Sequence, residues 1–302
     1  MIGAVDIGGT KIAIGAVSHD GKVAARLECP TAPERGCPAA IRQVAELLRV
    51  AASRTGSRFE GIGVCCPGPL DPFTGIIGDV GTLPGWQGGN LQAELEHEFG
   101  VRVAVENDAD AAALAEANWG AAKGDSRFIY ITVSTGIGGG IILGGELYRG
   151  VDGAHPELGH QVIDASGPLC YCAAHGCWES LASGPAMAAW VQEQRPVDDR
   201  LTAEQICALA RNGDALGLRA VERQGYYLGL GLANLVTLFT PGVIALGGGV
   251  MKSADLFLDR AREVIRHICT QVPAEKTDLR LVSLGTDTGL IGAARAFLHR
   301  YH

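Results

Sequence analysis

The chain has 302 residues, 47% of them hydrophobic and 19% charged, so it can bury a large core, and its length suggests two lobes. Its 25 basic and 33 acidic residues give a formal charge of −8, which argues against a nucleic-acid-binding surface. The sequence shows no signal peptide and no apolar run long enough for a membrane span, so we expect a cytoplasmic protein with no membrane partner.

The first predicted element is a β-hairpin near the N-terminus, whose two apolar strands are separated by a glycine-rich turn. The adjacent Gly8 and Gly9 let backbone N–H groups face an anion, while Thr10 adds a hydroxyl and Lys11 a positive charge. Asp6 is suited to holding Mg²⁺ through water. This motif alone is as consistent with a plain turn as with phosphate binding.

An amphipathic helix over residues 38–55 and a buried strand over residues 59–66 follow, which indicates an α/β layer. The strand runs into the segment PGPLDP at 67–72, which can continue neither a strand nor a helix and must form a shaped loop. Because ligands of open α/β sheets bind at the carboxyl ends of strands, this loop is a candidate for ligand contact.

A helix is predicted over residues 90–100, with Asn90 as its N-cap, and capping is the simple alternative to any ligand contact by that residue. A short buried strand, a polar turn at Glu106, Asn107 and Asp108, and an alanine-rich helix come next. Asp108 is either a helix cap or a base kept ionised by the field of the helix N-terminus.

Residues 128–150 repeat the arrangement of the N-terminus, with a strand, a glycine loop and a second strand. The loop at 134–140, STGIGGG, is a second candidate for holding phosphate. Two copies of this strand–glycine loop–strand motif favour phosphate binding over plain turns. A nucleotide held between duplicated lobes needs one loop from each lobe.

A metal site is predicted downstream, where Cys170, Cys172 and Cys177 are separated by one and four residues. This spacing is too tight for an ordinary disulfide framework but suits three thiolates on one tetrahedral zinc, with His160 as the nearest candidate for a fourth ligand. The alternative is a reduced cluster without metal. The nine cysteines are an odd number, and the other six show no framework spacing, which favours a reducing compartment.

The C-terminal part is predicted to be mostly helical, with an interruption at 183–185 and further helices at 202–210 and 217–238. The polar gap at 196–199 is predicted to be a flexible loop. A short strand at 243–246 leads into three glycines and a helix that runs through residue 269, and a last strand, a turn at 285–287 and a terminal helix complete the chain.

The order of these motifs resembles that of ROK-family sugar kinases, the glucokinase-like branch of the actin-type ATPase fold. The resemblance covers essentially the whole chain; its zinc-region signature is specific, whereas DIGGTK is shared with more distant ATPases. The matching segments are DIGGTK at 6–11, PGPLD at 67–71, ENDA at 106–109, STGIGGG at 134–140, ELGH at 157–160, CxCxxxGCxE at 170–179 and LGGGV at 246–250.

The resemblance implies an α/β, two-lobed actin-like ATPase fold of the ribonuclease H-like type, with a central ligand cleft and a zinc-stabilised loop. We expect a smaller lobe made of residues 1–110 plus 288–302 and a larger lobe of residues 111–287. The family also implies ATP, Mg²⁺ and a structural Zn²⁺ as cofactors, a hexose as substrate, and a homodimer or homotetramer.

The resemblance also assigns roles by position. Asp108 is expected to be the base that accepts the proton of the attacking sugar hydroxyl. The residues expected to contact the sugar are Gly68, Pro69, Asn90, Asn107, Asp108, Glu157, His160 and Glu179. Those expected to hold ATP and its Mg²⁺ are Asp6, Gly8, Gly9, Thr10, Lys11, Thr135, Gly136, Gly138, Gly247, Gly248 and Gly249. The expected zinc ligands are His160, Cys170, Cys172 and Cys177.

The expected reaction is phosphorylation of glucose to glucose 6-phosphate. His155-Pro156 precedes Glu157 where glucokinases often have Ala-Gly, and this feature is shared with fructokinase-like members, so fructose, mannose and N-acetylhexosamines stay open as substrates. Ala173 replaces a usual glycine, a mild departure. A sugar-responsive regulator is the alternative of another class, but Asp6 lies too near the start to leave room for a helix-turn-helix.

Overall fold

A computed structural model describes residues 1–195 and 200–302, so the loop predicted at 196–199 lies outside the described residues. The chain packs into two compact units. The first unit comprises Met1–Ser126, Gly140–Pro156 and Val282–His302, and the second comprises Arg127–Gly139 and Glu157–Leu281. The lobes expected from the resemblance stay a prediction, because compactness alone does not say which segments move together.

The first unit is built on a five-stranded sheet in the order β3-β2-β1-β4-β5. Its strands are β1 (Ile2–Ile7), β2 (Lys11–Val17), β3 (Val23–Pro30), β4 (Gly61–Cys66) and β5 (Arg102–Asn107). Its helices are α1 (Cys37–Thr55), α2 (Leu91–Phe99), α3 (Asp108–Trp119) and, at the end of the chain, α9 (Thr288–Tyr301). Both faces of the sheet are covered, which is why β1 and β4 read as nearly continuous apolar runs.

The register of this sheet brings several predicted site residues to one edge. Strands β1, β4 and β5 are parallel, whereas β2 is antiparallel to its neighbours β1 and β3. Asp6 is paired with Cys65, Cys65 with Glu106, and Cys66 with Asn107. The carboxyl ends of three parallel strands therefore share one edge, the place where ligands of open α/β sheets bind.

A second five-stranded sheet has the order β10-β9-β6-β7-β8. Its strands are β6 (Arg127–Val133), β7 (Ile137–Leu143), β8 (Glu146–Leu147), β9 (Val243–Gly247) and β10 (Asp278–Leu281). Strand β9 is parallel to both β6 and β10. The remaining helices are α4 (Trp178–Ala182), α5 (Gly184–Gln194), α6 (Ala203–Arg211), α7 (Ala215–Phe239) and α8 (Leu258–Ile268). The expectation of an α/β fold is confirmed.

Three features differ from the predictions. No turn separates β5 from α3, because the strand runs through Asn107 and the helix begins at Asp108. The helix predicted to end at residue 269 is a 3-10 helix, Val250–Leu256, followed by α8. Strand β3 was not predicted, and its alternating burial is typical of an edge strand. Within residues 1–195 and 200–302, no helix combines the length and apolar character needed to cross a membrane.

Candidate active site and metal centre

The strand-to-helix junction in the first unit positions Asn107 and Asp108. The Asn107 side chain is buried and caps α3, its Oδ1 accepting from Ala109 N at 2.8 Å and Asp110 N at 3.3 Å. The cap is thus Asn107 and not Asp108. Asp108 Oδ1 accepts only a local hydrogen bond, from Ala109 N at 2.8 Å, and the residue is exposed, so its carboxylate is available to a ligand.

The pKa of Asp108 is raised above its ordinary value, chiefly because protein atoms around the carboxylate displace water. The Ala109 N–H and the His155 side chain oppose this rise, while Asp110 adds to it. Arg149 and His155 form ion pairs with the neighbouring acids Glu106 and Asp110. A carboxylate with a raised pKa suits proton abstraction, although this role stays a prediction.

Asp6 lies near the end of β1, beside Cys65 of the neighbouring strand. The Cys65 thiol donates to Asp6 Oδ1 at 3.4 Å and is also 3.4 Å from the Gly289 carbonyl oxygen. A side chain at Gly289 would place its Cβ 2.0 Å from Asp6 Oδ2, so this close approach requires glycine. Loss of water raises the pKa of Asp6 to about 6, with a further contribution from Asp108. Its carboxylate suits a hard cation such as Mg²⁺.

The turn between β1 and β2 is held by its own hydrogen bonds. Gly8 N–H donates to the Lys11 carbonyl at 2.9 Å, so this amide is not available to a phosphate. Thr31 also fixes the turn, its hydroxyl donating to the Gly8 carbonyl at 2.6 Å. The Lys11 ammonium pairs with Glu28 at 2.7 Å on an exposed surface. The expected nucleotide contacts of this turn stay predictions, and for Lys11 they require the side chain to leave Glu28.

The loop after β4 approaches Asn107. A side chain at Gly68 would come within 3.3 Å of Asn107 Nδ2, and the Gly68–Pro69 peptide bond is cis. Asn90 caps α2, its Oδ1 accepting from Ala93 N at 2.9 Å, and it lines a cavity of about 560 Å³ with residues of α1 and α2. The capping role of Asn90 is observed, and its sugar contact stays a prediction.

In the second unit, the loop after β6 is joined to Glu179. Ser134 N–H donates to the Gly136 carbonyl at 2.8 Å, and Ile137 N–H donates to Glu179 Oε2 at 2.8 Å. A side chain at Gly136 would collide with the same carboxylate, at 2.3 Å, which explains the glycine. Glu179 therefore supports the loop predicted to hold phosphate, a link that the sequence did not reveal.

The three glycines after β9 lie next to that loop. Gly248 has φ +93°, and a side chain there would place its Cβ 2.3 Å from the Val133 carbonyl oxygen. A Cβ atom at Gly249 would lie 3.7 Å from the hydroxyl oxygen of Ser134. The parallel pairing of β6 and β9 produces this proximity, because it brings the carboxyl ends of both strands to one edge.

The predicted zinc ligands converge in the second unit. The ligand atoms of His160, Cys170, Cys172 and Cys177 all lie within 4.8 Å of one another. His160 Nδ1 is 3.6 Å from Cys170 Sγ, and Cys172 Sγ is 3.5 Å from Cys177 Sγ. Zinc–sulfur bonds of about 2.3 Å in a tetrahedron place ligand atoms roughly 3.7 Å apart, so this cluster fits one Zn²⁺.

The thiols of the cluster differ in their acidity. Burial and the neighbouring thiols raise the pKa of Cys177 to about 12, whereas hydrogen bonds with the Ala174 backbone and the Cys177 thiol lower the pKa of Cys172. The other imidazole nitrogen, His160 Nε2, lies 2.8 Å from the exposed hydroxyl of Tyr171. His160 therefore has Nδ1 toward the cysteines and Nε2 toward a polar group.

The remaining predicted sugar contact of the second unit, Glu157, is exposed and precedes the 3-10 helix Leu158–His160. Its carbonyl accepts from His160 N at 3.0 Å, which ties the two residues together. Sequence reasoning missed two ion pairs of the first unit, Arg149 with Glu106 and His155 with Asp110. The signal was the alternation of acids at 106, 108 and 110, which puts three carboxylates at one junction.

Comparison with known proteins places this geometry in context. The model of the ROK family matches residues 2–300. The glucokinase of Thermotoga maritima is 32% identical over 98% of this chain and 96% of its own length. The ROK hexokinase of Thermus thermophilus superposes with a TM-score of 0.89 at 38% identity, covering 99% of this chain and 98% of that one. A ROK family glucokinase of Streptomyces griseus, solved with glucose and AMPPNP, gives a TM-score of 0.80 at 31% identity, covering 100% and 99%.

Proposed function

The chain belongs to the ROK family, and we propose that it is an ATP-dependent hexose kinase with glucose as its preferred substrate. The single observation that carries the proposal is Asp108, an exposed carboxylate with a raised pKa at the end of a parallel strand. The glucokinase names of relatives matching almost the whole chain support the choice of glucose.

In the proposed reaction, Asp108 accepts the proton of the sugar hydroxyl as its oxygen attacks the γ-phosphorus of ATP. The oxygen–phosphorus bond to ADP breaks, and the phosphorylated sugar and ADP leave. Phosphoryl transfer depends mainly on positioning and charge stabilisation, so the protein has little covalent work to do. Asn107 supports Asp108 by fixing the first turn of α3.

The sugar hydroxyls are donors and acceptors, so carboxylate, amide and imidazole groups suit them. We assign these contacts to Glu157, His160 and Glu179, together with Asn90, Asn107 and the Gly68-Pro69 loop. His160 Nε2 is the contacting atom, because Nδ1 faces the cysteines, and a sugar hydroxyl there would take the place of the Tyr171 hydroxyl.

The nucleotide contacts are assigned to two loops and the glycines after β9. Thr135, Gly136 and Gly138 belong to a loop already supported by Glu179, and Gly247 to Gly249 adjoin it. Gly8 to Lys11 form the other loop, in which the amide of Gly8 is occupied and those of Gly9 and Thr10 are the assigned donors. Mg²⁺ would be held near Asp6 and would neutralise charge on the transferred phosphoryl group.

Zn²⁺ at the cysteine cluster has a structural role in this proposal. Four protein ligands leave no open coordination position, so the metal orders the loop and orients His160 and supplies no reaction step. A cytoplasmic location and a homodimer or homotetramer stay predictions.

The direct test is a coupled assay of ADP release with a panel of sugars. Glucose is expected to give the highest kcat/KM, ahead of fructose, mannose, N-acetylglucosamine and N-acetylmannosamine. A different order would change the substrate, and no ADP release above the sugar-free rate with any of them would refute the kinase. Product analysis by NMR identifies the phosphorylated hydroxyl.

A further inference from the structure

Three acids alternate with other residues at the strand-to-helix junction of the first unit, and two of them lie against basic side chains. The Arg149 guanidinium pairs with Glu106, which is 3% exposed. His155 Nδ1 lies 2.9 Å from Oδ2 of Asp110, which is 1% exposed. Asp108 lies between these acids in sequence and belongs to neither of the two pairs.

Both basic side chains come from one short segment, residues 148–156, which follows β8. Its middle part is closed into a turn by Gly150 N–H, which donates to the Ala154 carbonyl at 2.7 Å. Gly153, at φ +79°, packs against Phe73, and a side chain at Gly153 would place its Cβ 2.5 Å from that ring. The fold of this segment therefore fixes the backbone position of His155.

Resting on the proposed function, we infer that His155 and Asp110 are positioning residues that set the pH range in which Asp108 acts as base. His155 is partly buried and Asp110 is buried, and Asp110 lies two residues from Asp108 in the first turn of α3. A protonated His155 stabilises ionised Asp108 and extends its activity to lower pH, whereas ionised Asp110 has the reverse effect. The two effects on Asp108 partly cancel, because the charges of His155 and Asp110 also neutralise each other.

Two observations support this inference. The pKa of Asp108 is lowered by His155 and raised by Asp110, so both act on it electrostatically. Asp110 Oδ1 is buried without a hydrogen-bond partner among the described residues, so no local hydrogen bond screens its charge. The other titratable or charged groups on the surrounding elements stay unchanged in the test: Asp6, Lys11, Cys65, Cys66, Glu106, Arg149, Arg295, His299 and Arg300.

The test compares His155→Gln, Asp110→Asn and the double variant with the wild-type protein. The acidic limb of kcat/KM should move to higher pH in His155→Gln, to lower pH in Asp110→Asn, and back toward wild type in the double variant. Each single shift is expected to be about one pH unit or less, near the lower end for a charge close to a carboxylate. The sugar KM at optimal pH should stay unchanged.

A second readout does not need turnover. Carbon-13 NMR of the protein labelled at its aspartates follows the Asp108 carboxyl group directly. The Asp108 signal is assigned as the one that is missing in Asp108→Asn. The same opposite shifts are expected there. If the wild-type protein phosphorylates no hexose, the proposed function fails while this titration still tests the pair.

Shifts in the same direction, or no shift in either readout, would overturn the inference. A raised sugar KM in His155→Gln with an unmoved acidic limb would also overturn it, because it would make His155 a sugar contact. If Asp110→Asn does not fold, as judged by circular dichroism, the His155→Gln titration decides alone.

Discussion

At the scale of single residues, the candidate site depends on which carboxylate is left accessible. Glu106 and Asp110 are buried and paired, whereas Asp108 is exposed and accepts only one local hydrogen bond. The difference does not come from residue type, since all three are acids within five positions of one another. It comes from the segment that supplies Arg149 and His155.

Replacing Asp108 with Asn should remove turnover but leave sugar binding intact. The amide keeps the shape and still accepts from Ala109 N, but it cannot take a proton at neutral pH, and loss of a general base typically costs about 10²- to 10⁴-fold in kcat. Steady-state kinetics and calorimetric sugar binding measure the two effects. Asp20→Asn, on the surface, is the matched control, and full activity in Asp108→Asn would exclude the base assignment.

Replacing Asp6 with Asn should stabilise the fold at alkaline pH. The pKa of Asp6 is about 6 in the folded protein and 3.8 as the ordinary value, so its protonated form favours folding and this contribution is lost as pH rises through 6. The neutral amide avoids the cost of burying a charge, and a gain of up to about 3 kcal/mol is expected at pH 8.

Urea unfolding at pH 4 and pH 8 measures this effect, and most of the gain should be lost at pH 4, where Asp6 is protonated in the folded state. ATP-dependent activity should be lost if Asp6 holds Mg²⁺, so stability and function oppose each other at this position. An equal gain at both pH values would show that the ionisation of Asp6 is not the cause.

At the scale of elements, the loop of the cysteine cluster contains a strained position. Ala173 has φ +71°, in the left-handed region, where its side chain costs about 1 kcal/mol relative to glycine. Its N–H still donates to the Cys170 carbonyl at 3.0 Å, which closes the turn that contains the first and second cysteines.

Ala173→Gly should therefore strengthen metal retention. Relief of about 1 kcal/mol of strain in the bound state is worth roughly a fivefold change in an equilibrium constant. Competition with a zinc chelator, followed by a colorimetric dye, measures the affinity. Ala174→Gly, at a position without positive φ, is the control and should bind metal no more tightly than wild type.

Elements and site were not equally predictable. Hydrophobic spacing is a local signal, so the helices, the buried strands and the glycine loops could be predicted from the sequence. The hydrogen bond from Ile137 to Glu179 and the His155–Asp110 pair join residues more than forty positions apart, and no local pattern encodes them. The polar turn predicted at 106–108 was wrong because Asn107 ends a strand and caps a helix at once.

At the scale of the whole molecule, the two compact units carry different parts of the predicted chemistry. Asp6 and the proposed base Asp108 belong to the first unit, and the cysteine cluster, Glu157 and Glu179 belong to the second. A perturbation of the metal should therefore act within the second unit and leave the sheet of the first unit intact. This separation makes a structural zinc distinguishable from a catalytic metal.

Removal of the metal with a chelator should raise the sugar KM much more than it lowers kcat. Without the metal ion, the His160 side chain is no longer held in its orientation, whereas Asp108 is unaffected. Hydrogen exchange followed by mass spectrometry should show lost protection over residues 157–181 and unchanged protection in β1, β4 and β5. Added Zn²⁺ should restore both KM and protection.

Cys172→Ser should reproduce the metal-free behaviour, and Cys207→Ser should not, because Cys207 is a buried cysteine on α6 outside the cluster. Equal loss of kcat at constant KM would instead assign the metal to the reaction itself. Protection lost across both units would show that the cluster stabilises the whole chain. The structural role proposed for zinc requires the first pattern, because only a local loss of order raises KM through His160 and its neighbours while leaving the base in place.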